Sequence, residues 1–271
     1  VDDRGVTPSV RIDGAPATVE ALAPVLLSNY GAFTSMQVDD GAVRGLDLHL
    51  ERLEREALAL FGVAVPEARL RERMRTAVAG LEGRRSLRVQ LFLDTITLRT
   101  PDAMGEPSVL TVVSDPANPL CDPLRLQTQD YAREAPELKH NGTFGLTRAR
   151  RAAKAAEFDD ALFVGPDGVV SEGTIWNIGF VEDGRIVWPR APMLRGTGQA
   201  LLENGLALVG LDSESRVIDR AALAGFRQAF ICNSATPACP VGNIDGRSLE
   251  VDPGLIDRLH AAWASNAPQA I

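Results

Sequence analysis

Cysteine and histidine are scarce in this chain of 271 residues. Cys121, Cys232 and Cys239 are odd in number and irregularly spaced, which fits reduced thiols better than a disulfide framework or a zinc site. His49, His140 and His260 are scattered and form no metal-ligand pair, so no metal centre is expected. No apolar run is long enough to span a bilayer. The opening segment VDDRGVTPSV lacks the basic and apolar regions of a secretory leader, and a cytoplasmic protein is expected. Basic residues are in the minority: 28 Lys and Arg against 36 Asp and Glu leave a net charge of -8. That balance argues against a nucleic-acid partner, though not against a small anion in a local basic pocket. A Walker loop, a GxSxG elbow, an HExxH pair, internal repeats and low-complexity tracts are all absent.

What is present is a mixed pattern in two halves. YGAFTSMQV, a turn at Asp39-Asp40-Gly41 and a short return run predict a hairpin over residues 28–44. Leu50, Leu53, Ala57, Leu60 and Phe61 repeat at helical spacing and predict a helix from Leu46 to Phe61. Pro66 suits the first turn of a second helix, with Leu70, Met74, Val78 and Leu81 as its buried stripe. LRVQLFL, ITLR and SVLTVV read as three strands. The proline-rich SDPANPLCDP, residues 114–123, reads as a linker. The expected organisation is therefore a small N-terminal α/β domain over 1–114, a linker over 115–123, and a larger C-terminal domain over 124–271. Past the linker the order is strand, helix within 146–157, strand, turn at Gly165-Pro166-Asp167-Gly168, alternating VVSEGTIWNIGFV, strand IVWP, helix. Clustered rather than strictly alternating elements favour α+β over a doubly wound sheet.

Four patches carry polar residues that chemistry can use. HLERL, residues 49–53, puts Arg52 on the first long helix. Lys139 follows a strand-like segment. SEGTIWNIGF, residues 171–180, holds Glu172. LRGTGQALL, residues 194–202, is a glycine turn running into a helix, where backbone N–H groups and the helix dipole would face an anion. Each has an ordinary reading when taken alone. Lys139 is a solvated lysine, Glu172 a turn carboxylate, and Arg52 a partner for Glu51, Glu54 or Glu56 on a wet helix face. Gly196-Thr197-Gly198 lacks the third glycine of a dinucleotide fingerprint. Arg148, Arg150, Arg151 and Lys154 read as a solvated face, and Trp176 as core.

In order along the chain, the four patches resemble the class IV, or fold type IV, aminotransferase family, which uses pyridoxal phosphate (PLP). The family includes branched-chain and D-amino-acid aminotransferases, R-selective amine transaminases and aminodeoxychorismate lyase. The likeness runs from about residue 28 to 247 and includes ICNSATPACPVGNIDGR, residues 231–247, which is most similar to the lyase. It implies a two-domain α+β enzyme: a small α/β sandwich domain and a larger pseudo-barrel domain, with PLP in the cleft. It implies that Lys139 forms a Schiff base with PLP and moves protons. It implies that Glu172 pairs with the pyridine nitrogen, that Arg52 and the Gly196-Thr197-Gly198 turn hold the phosphate, and that Ser234 adds a hydroxyl to it. It further implies a homodimer that moves an amino group between an amino donor and a 2-oxo acid. Elimination of pyruvate from aminodeoxychorismate is the alternative, and a catalytically degenerate ligand-binding relative the third reading. The chain departs from the pattern at Phe144, where branched-chain enzymes have a tyrosine, and at Gln199, where an arginine is usual. Arg99, at the end of the ITLR run, is the candidate for binding a substrate carboxylate.

Overall fold

The computed structural model describes residues 8–271. By contact density the chain divides into two compact units. The first comprises residues up to Ala117, with Leu138–Gly142 and Ala267–Ile271; the second comprises Asn118–Glu137 and Thr143–Asn266. Two short pieces that the sequence places in the larger half, including the one that carries Lys139, thus lie with the first unit.

In the first unit, β1 (Ser9–Ile12), β2 (Ala15–Pro16) and α1 (Val19–Leu27) lead into the β3 (Gly31–Asp39) and β4 (Ala42–Arg44) hairpin. Asp40 and Gly41 turn it with φ of 45° and 77°, the left-handed pair that a tight hairpin requires. α2 (Leu46–Phe61) and α3 (Glu67–Val78) follow, then β5 (Arg84–Phe92) and β6 (Ser108–Ser114). With β16 (Pro268–Ala270), the strands form an antiparallel sheet in the order β16-β4-β3-β5-β6-β1-β2. Met36, Val38, Leu87, Val89 and Leu91 face the helices and bury Leu50, Leu53, Phe61, Leu70 and Met74. The stripe of α3 is Leu70, Met74 and Ala77; the helix ends at Val78, and Leu81 lies beyond it, exposed. ITLR is not a strand. Thr97 and Thr100 close a turn there, and Leu98 and Arg99 point to solvent.

The second unit holds β7 (Leu124–Asp130), α4 (Phe144–Ala155), β8 (Asp160–Val164), β9 (Val170–Gly173), β10 (Asn177–Glu182) and β11 (Arg185–Pro189). α5 (Thr197–Gly205), β12 (Ser213–Arg216), β13 (Gln228–Cys232), β14 (Cys239–Ile244), β15 (Arg247–Ser248) and α6 (Pro253–Ala264) complete it. Its mixed sheet runs β12-β11-β10-β13-β14-β7-β8-β9, with β15 on β14. β9 to β11 do not alternate between buried and exposed; they are buried on both faces. Val187 and Ile231 pack with Leu126, Leu162 and Ile178, so the inner face of the curled sheet makes its own core. Ile186, Trp188, Phe230 and Cys232 pack the other face against Leu202 of α5 and Leu255 and Leu259 of α6. Among the described residues, no helix is long and apolar enough to cross a membrane.

Candidate active site

In the first unit, the segment around Lys139 extends the sheet. Phe33 donates its N–H to the Lys139 carbonyl at 2.9 Å, and Asn141 donates to the Gly31 carbonyl at 2.8 Å. Gly31 permits this approach, because a Cβ there would stand 2.7 Å from Asn141 Nδ2 and 2.5 Å from the Leu91 carbonyl oxygen. From the other side, Glu56 Oε1 accepts the Lys139 N–H at 2.8 Å. The Lys139 ammonium lies 4.9 Å from the Phe33 ring centroid.

α2 supplies the surroundings. Its apolar stripe faces the core, and a second stripe at i, i+3 and i+7 carries His49, Arg52 and Glu56. All three are buried: Arg52 is 5% exposed and Glu56 0%. Arg52 is therefore not on a wet helix face, and Glu56 is a residue that the sequence reading assigned only to such a face. His49 Nδ1 hydrogen-bonds to Thr34 Oγ1 at 2.6 Å. Burial, then the nearby Arg52 and Lys139 charges, push its pKa down to about 3, so it is neutral. Burial pushes the Glu56 carboxyl up, against the lowering effects of the Lys139 N–H and the Arg52, Arg55 and Lys139 charges. Its Oε2 has no hydrogen-bond partner among the described residues.

In the second unit, Glu172 sits on the fully buried β9. Its Oε1 accepts from Arg133 Nη1 and from the Leu194 N–H, both at 3.3 Å. The Leu194 carbonyl in turn accepts from Asn177 Nδ2 at 2.8 Å. Asn177 Oδ1 then lies where a Cβ on Gly196 would stand, so any side chain there would have to displace Asn177. At Gly198 a Cβ would come within 2.5 Å of the Asn233 carbonyl oxygen. Asn233 Oδ1 accepts from the Ala235 and Thr236 N–H groups at 2.9 and 2.8 Å, folding Ser234 into a tight turn against α5. α5 starts with its first residues buried, yet its N-cap, Gly196, offers no side-chain acceptor. A buried helix start without a cap leaves N–H groups that an anion can satisfy.

One buried carboxylate fixes the turn after Glu172. Asp160 Oδ1 accepts from Thr174 Oγ1 at 2.7 Å and from the Ala161 N–H at 2.8 Å, and Oδ2 accepts from Trp176 Nε1 at 2.9 Å. Arg150 Nε lies 3.6 Å from Oδ2, so this arginine leaves the solvated face of α4 that Arg148, Arg151 and Lys154 keep.

The structure thus gathers Lys139 and Arg52 around Glu56 and His49 within the first unit. Glu172, Gly196, Thr197, Gly198 and Ser234 are gathered within the second. Arg99 is exposed in its turn, where its N–H donates to Thr97 Oγ1 at 3.1 Å. Phe144 is exposed at the start of α4. Gln199 bonds Glu203 at 2.9 Å, holding its amide along α5. Glu56, Arg133, Asp160 and Asn177 escaped the sequence reading. Only Glu56 left a signal, its i+4 spacing from Arg52.

A probable branched-chain-amino-acid aminotransferase of Synechocystis sp. is 28% identical over 120 residues, 43% of this chain. The match spans 39% of that relative's length. A fold IV-transaminase from Curtobacterium pusillum superposes with a TM-score of 0.75 at 25% identity, over 88% of this chain and 85% of that one. A hypothetical aminotransferase from Mycobacterium tuberculosis, solved in a PLP-bound form, gives 0.78 at 23% identity, over 96% and 100%. The branched-chain aminotransferase of the archaeon Thermoproteus uzoniensis, solved with norvaline, gives 0.79 at 22% identity, over 93% and 92%. These likenesses establish the fold type IV architecture. The family model for amino-transferase class IV matches residues 31–244, and the chain belongs to that family.

Proposed function

We propose that this chain is a PLP-dependent aminotransferase that moves an amino group between an amino donor and a 2-oxo acid, with the cofactor attached to Lys139. The observation that carries the reading is the setting of that lysine. The chain has only two lysines, and Lys154 is exposed on α4. Lys139 is instead stitched to β3 and α2. The remaining residues suit the cofactor's two ends. The uncapped start of α5, the cradles at Gly196 and Gly198 and the Ser234 turn fit a phosphate. Buried Glu172 fits a protonated ring nitrogen.

When bound, PLP supplies an electron sink for a substrate carbon that loses its proton. The protein's residues do the rest. Lys139 Nζ carries the proton from that carbon to its new position. Glu172, oriented by Arg133 and the Leu194 N–H, keeps a proton on the ring nitrogen. Arg52 and the α5 N-terminus anchor the phosphate and fix the orientation of the reacting group.

Borohydride treatment of the PLP-loaded protein followed by peptide mapping tests the reading. The reduced adduct is expected on Lys139, and an adduct on Lys154 would remove Lys139 from the site. Lyase activity rests on the 231–247 segment alone. A transferase loses its PLP absorbance when given an amino donor without acceptor, whereas a lyase releases pyruvate from aminodeoxychorismate and keeps it. A homodimer is supported by α1, which has no buried residue and exposes Val19, Leu26 and Leu27, the last at 89%. Free Cys121, Cys232 and Cys239 suit a reducing, cytoplasmic setting.

A further inference from the structure

Successive residues of β3 face opposite sides of its sheet. Thr34, Met36 and Val38 face α2 and α3. Phe33 and Ser35 face the other side, opposite Gln90 and Arg88 of β5 in register. On that side the Arg88 guanidinium lies 3.5 Å from the centroid of the Phe33 ring, the same ring that the Lys139 ammonium approaches at 4.9 Å. Two cations therefore share one aromatic side chain.

Arg88 is held rather than loose. Gln90 Oε1 accepts from its Nε at 3.3 Å and its Nη2 at 3.0 Å, and Asn141 Oδ1 accepts from Nη2 at 3.4 Å. Nη1 makes no hydrogen bond among the described residues, and none of their carboxylates forms an ion pair with this arginine. Burial pushes the guanidinium down to about 10, which still leaves it charged at neutral pH. A half-buried cation whose partners among the described residues are neutral amides and a ring is an arrangement that an anion would relieve. The Lys139 ammonium approaches the same Phe33 ring, so a molecule that reacts at Lys139 is the candidate to carry that anion.

We infer that Arg88 is the specificity-determining residue that binds the carboxylate of the amino donor and of the 2-oxo acid. The inference rests on the aminotransferase reading above. Arg88 takes the role the sequence suggested for Arg99. A guanidinium stacked on a ring and steered by two amides presents its remaining edge as a fork for a planar carboxylate. Substrates without a carboxylate would forgo this contact.

The test uses the PLP-loaded full chain and its Arg88→Gln and Arg88→Lys variants. Calorimetric titration with pyruvate reads carboxylate binding without turnover. Its dissociation constant is expected to rise roughly tenfold to a hundredfold in Arg88→Gln, the cost of losing a charged partner, and by less in Arg88→Lys. With the alanine enantiomers as donors, KM should rise more than kcat falls. The kcat/KM ratio of alanine to 1-phenylethylamine, which has no carboxylate, should drop at least tenfold. A pyruvate dissociation constant within twofold of wild type in both variants would overturn the inference. So would equal losses for alanine and 1-phenylethylamine, the result for an arginine that merely supports the sheet. A wild type that accepts amino groups from neither donor would defeat the aminotransferase reading instead, while the pyruvate titration would still report on Arg88.

Discussion

At the residue scale, the informative side chains are buried polar groups. Arg52 is one. Removing a charged partner of a buried anion costs about 1.5–3 kcal/mol, so Arg52→Ala should weaken PLP affinity roughly tenfold or more. Equal affinity in an absorbance titration would assign Arg52 to packing alone. Glu172→Gln should still bind PLP but slow turnover by orders of magnitude, because a neutral amide no longer favours a protonated ring nitrogen. His49 makes a prediction about pH. Its pKa is near 3 in the folded chain against 6.5 in the unfolded one. Between those values the unfolded state binds the extra proton, so this contribution is complete above pH 6.5 and is lost as pH falls toward 3. His49→Gln should flatten the decline in stability between pH 6.5 and 4.5 in urea melts. An unchanged slope would mean that His49 does not govern it.

At the element scale, the turn into α5 depends on a chain of close contacts. Gly196 has no room for a Cβ because Asn177 Oδ1 stands there, and Asn177 also ties Leu194, whose N–H reaches Glu172. Gly196→Ala should therefore disturb both the proposed phosphate cradle and the orientation of Glu172, at about 1–3 kcal/mol of stability. Adding Asn177→Ala opens the space, so the double variant should be less unstable than the two single losses together predict. Strict additivity in thermal melts would mean that the clash is relieved elsewhere. Asp160 does similar work for the turn after β9. Asp160→Ala leaves the Thr174 hydroxyl, the Trp176 indole N–H and the Ala161 N–H without their acceptor. A loss of roughly 3 kcal/mol or more is expected, a fall of about 6 °C or more in Tm.

At the scale of the whole molecule, local pattern and long-range contact divided the information between them. The β3–β4 hairpin and α2 were legible from residue spacing alone, because a left-handed Asp-Gly turn and a 3.6-residue repeat are local properties. ITLR misled for the same reason. A four-residue apolar run suits a strand, but a strand needs a partner, and that segment forms a turn instead. The order of the four patches carried the family and the candidate site residues, since the chemistry fixes which side-chain types must occur. Tertiary structure decided which polar residues are buried. Arg52 and Glu56 look alike along HLERLERE, and only the packing of α2 removes both from water. It also placed residues 138–142 with the first unit, through hydrogen bonds to β3 and α2 that join positions roughly a hundred residues apart. Arg88 became a candidate in the same way, because a cross-strand register and a shared aromatic ring leave no periodicity in the sequence.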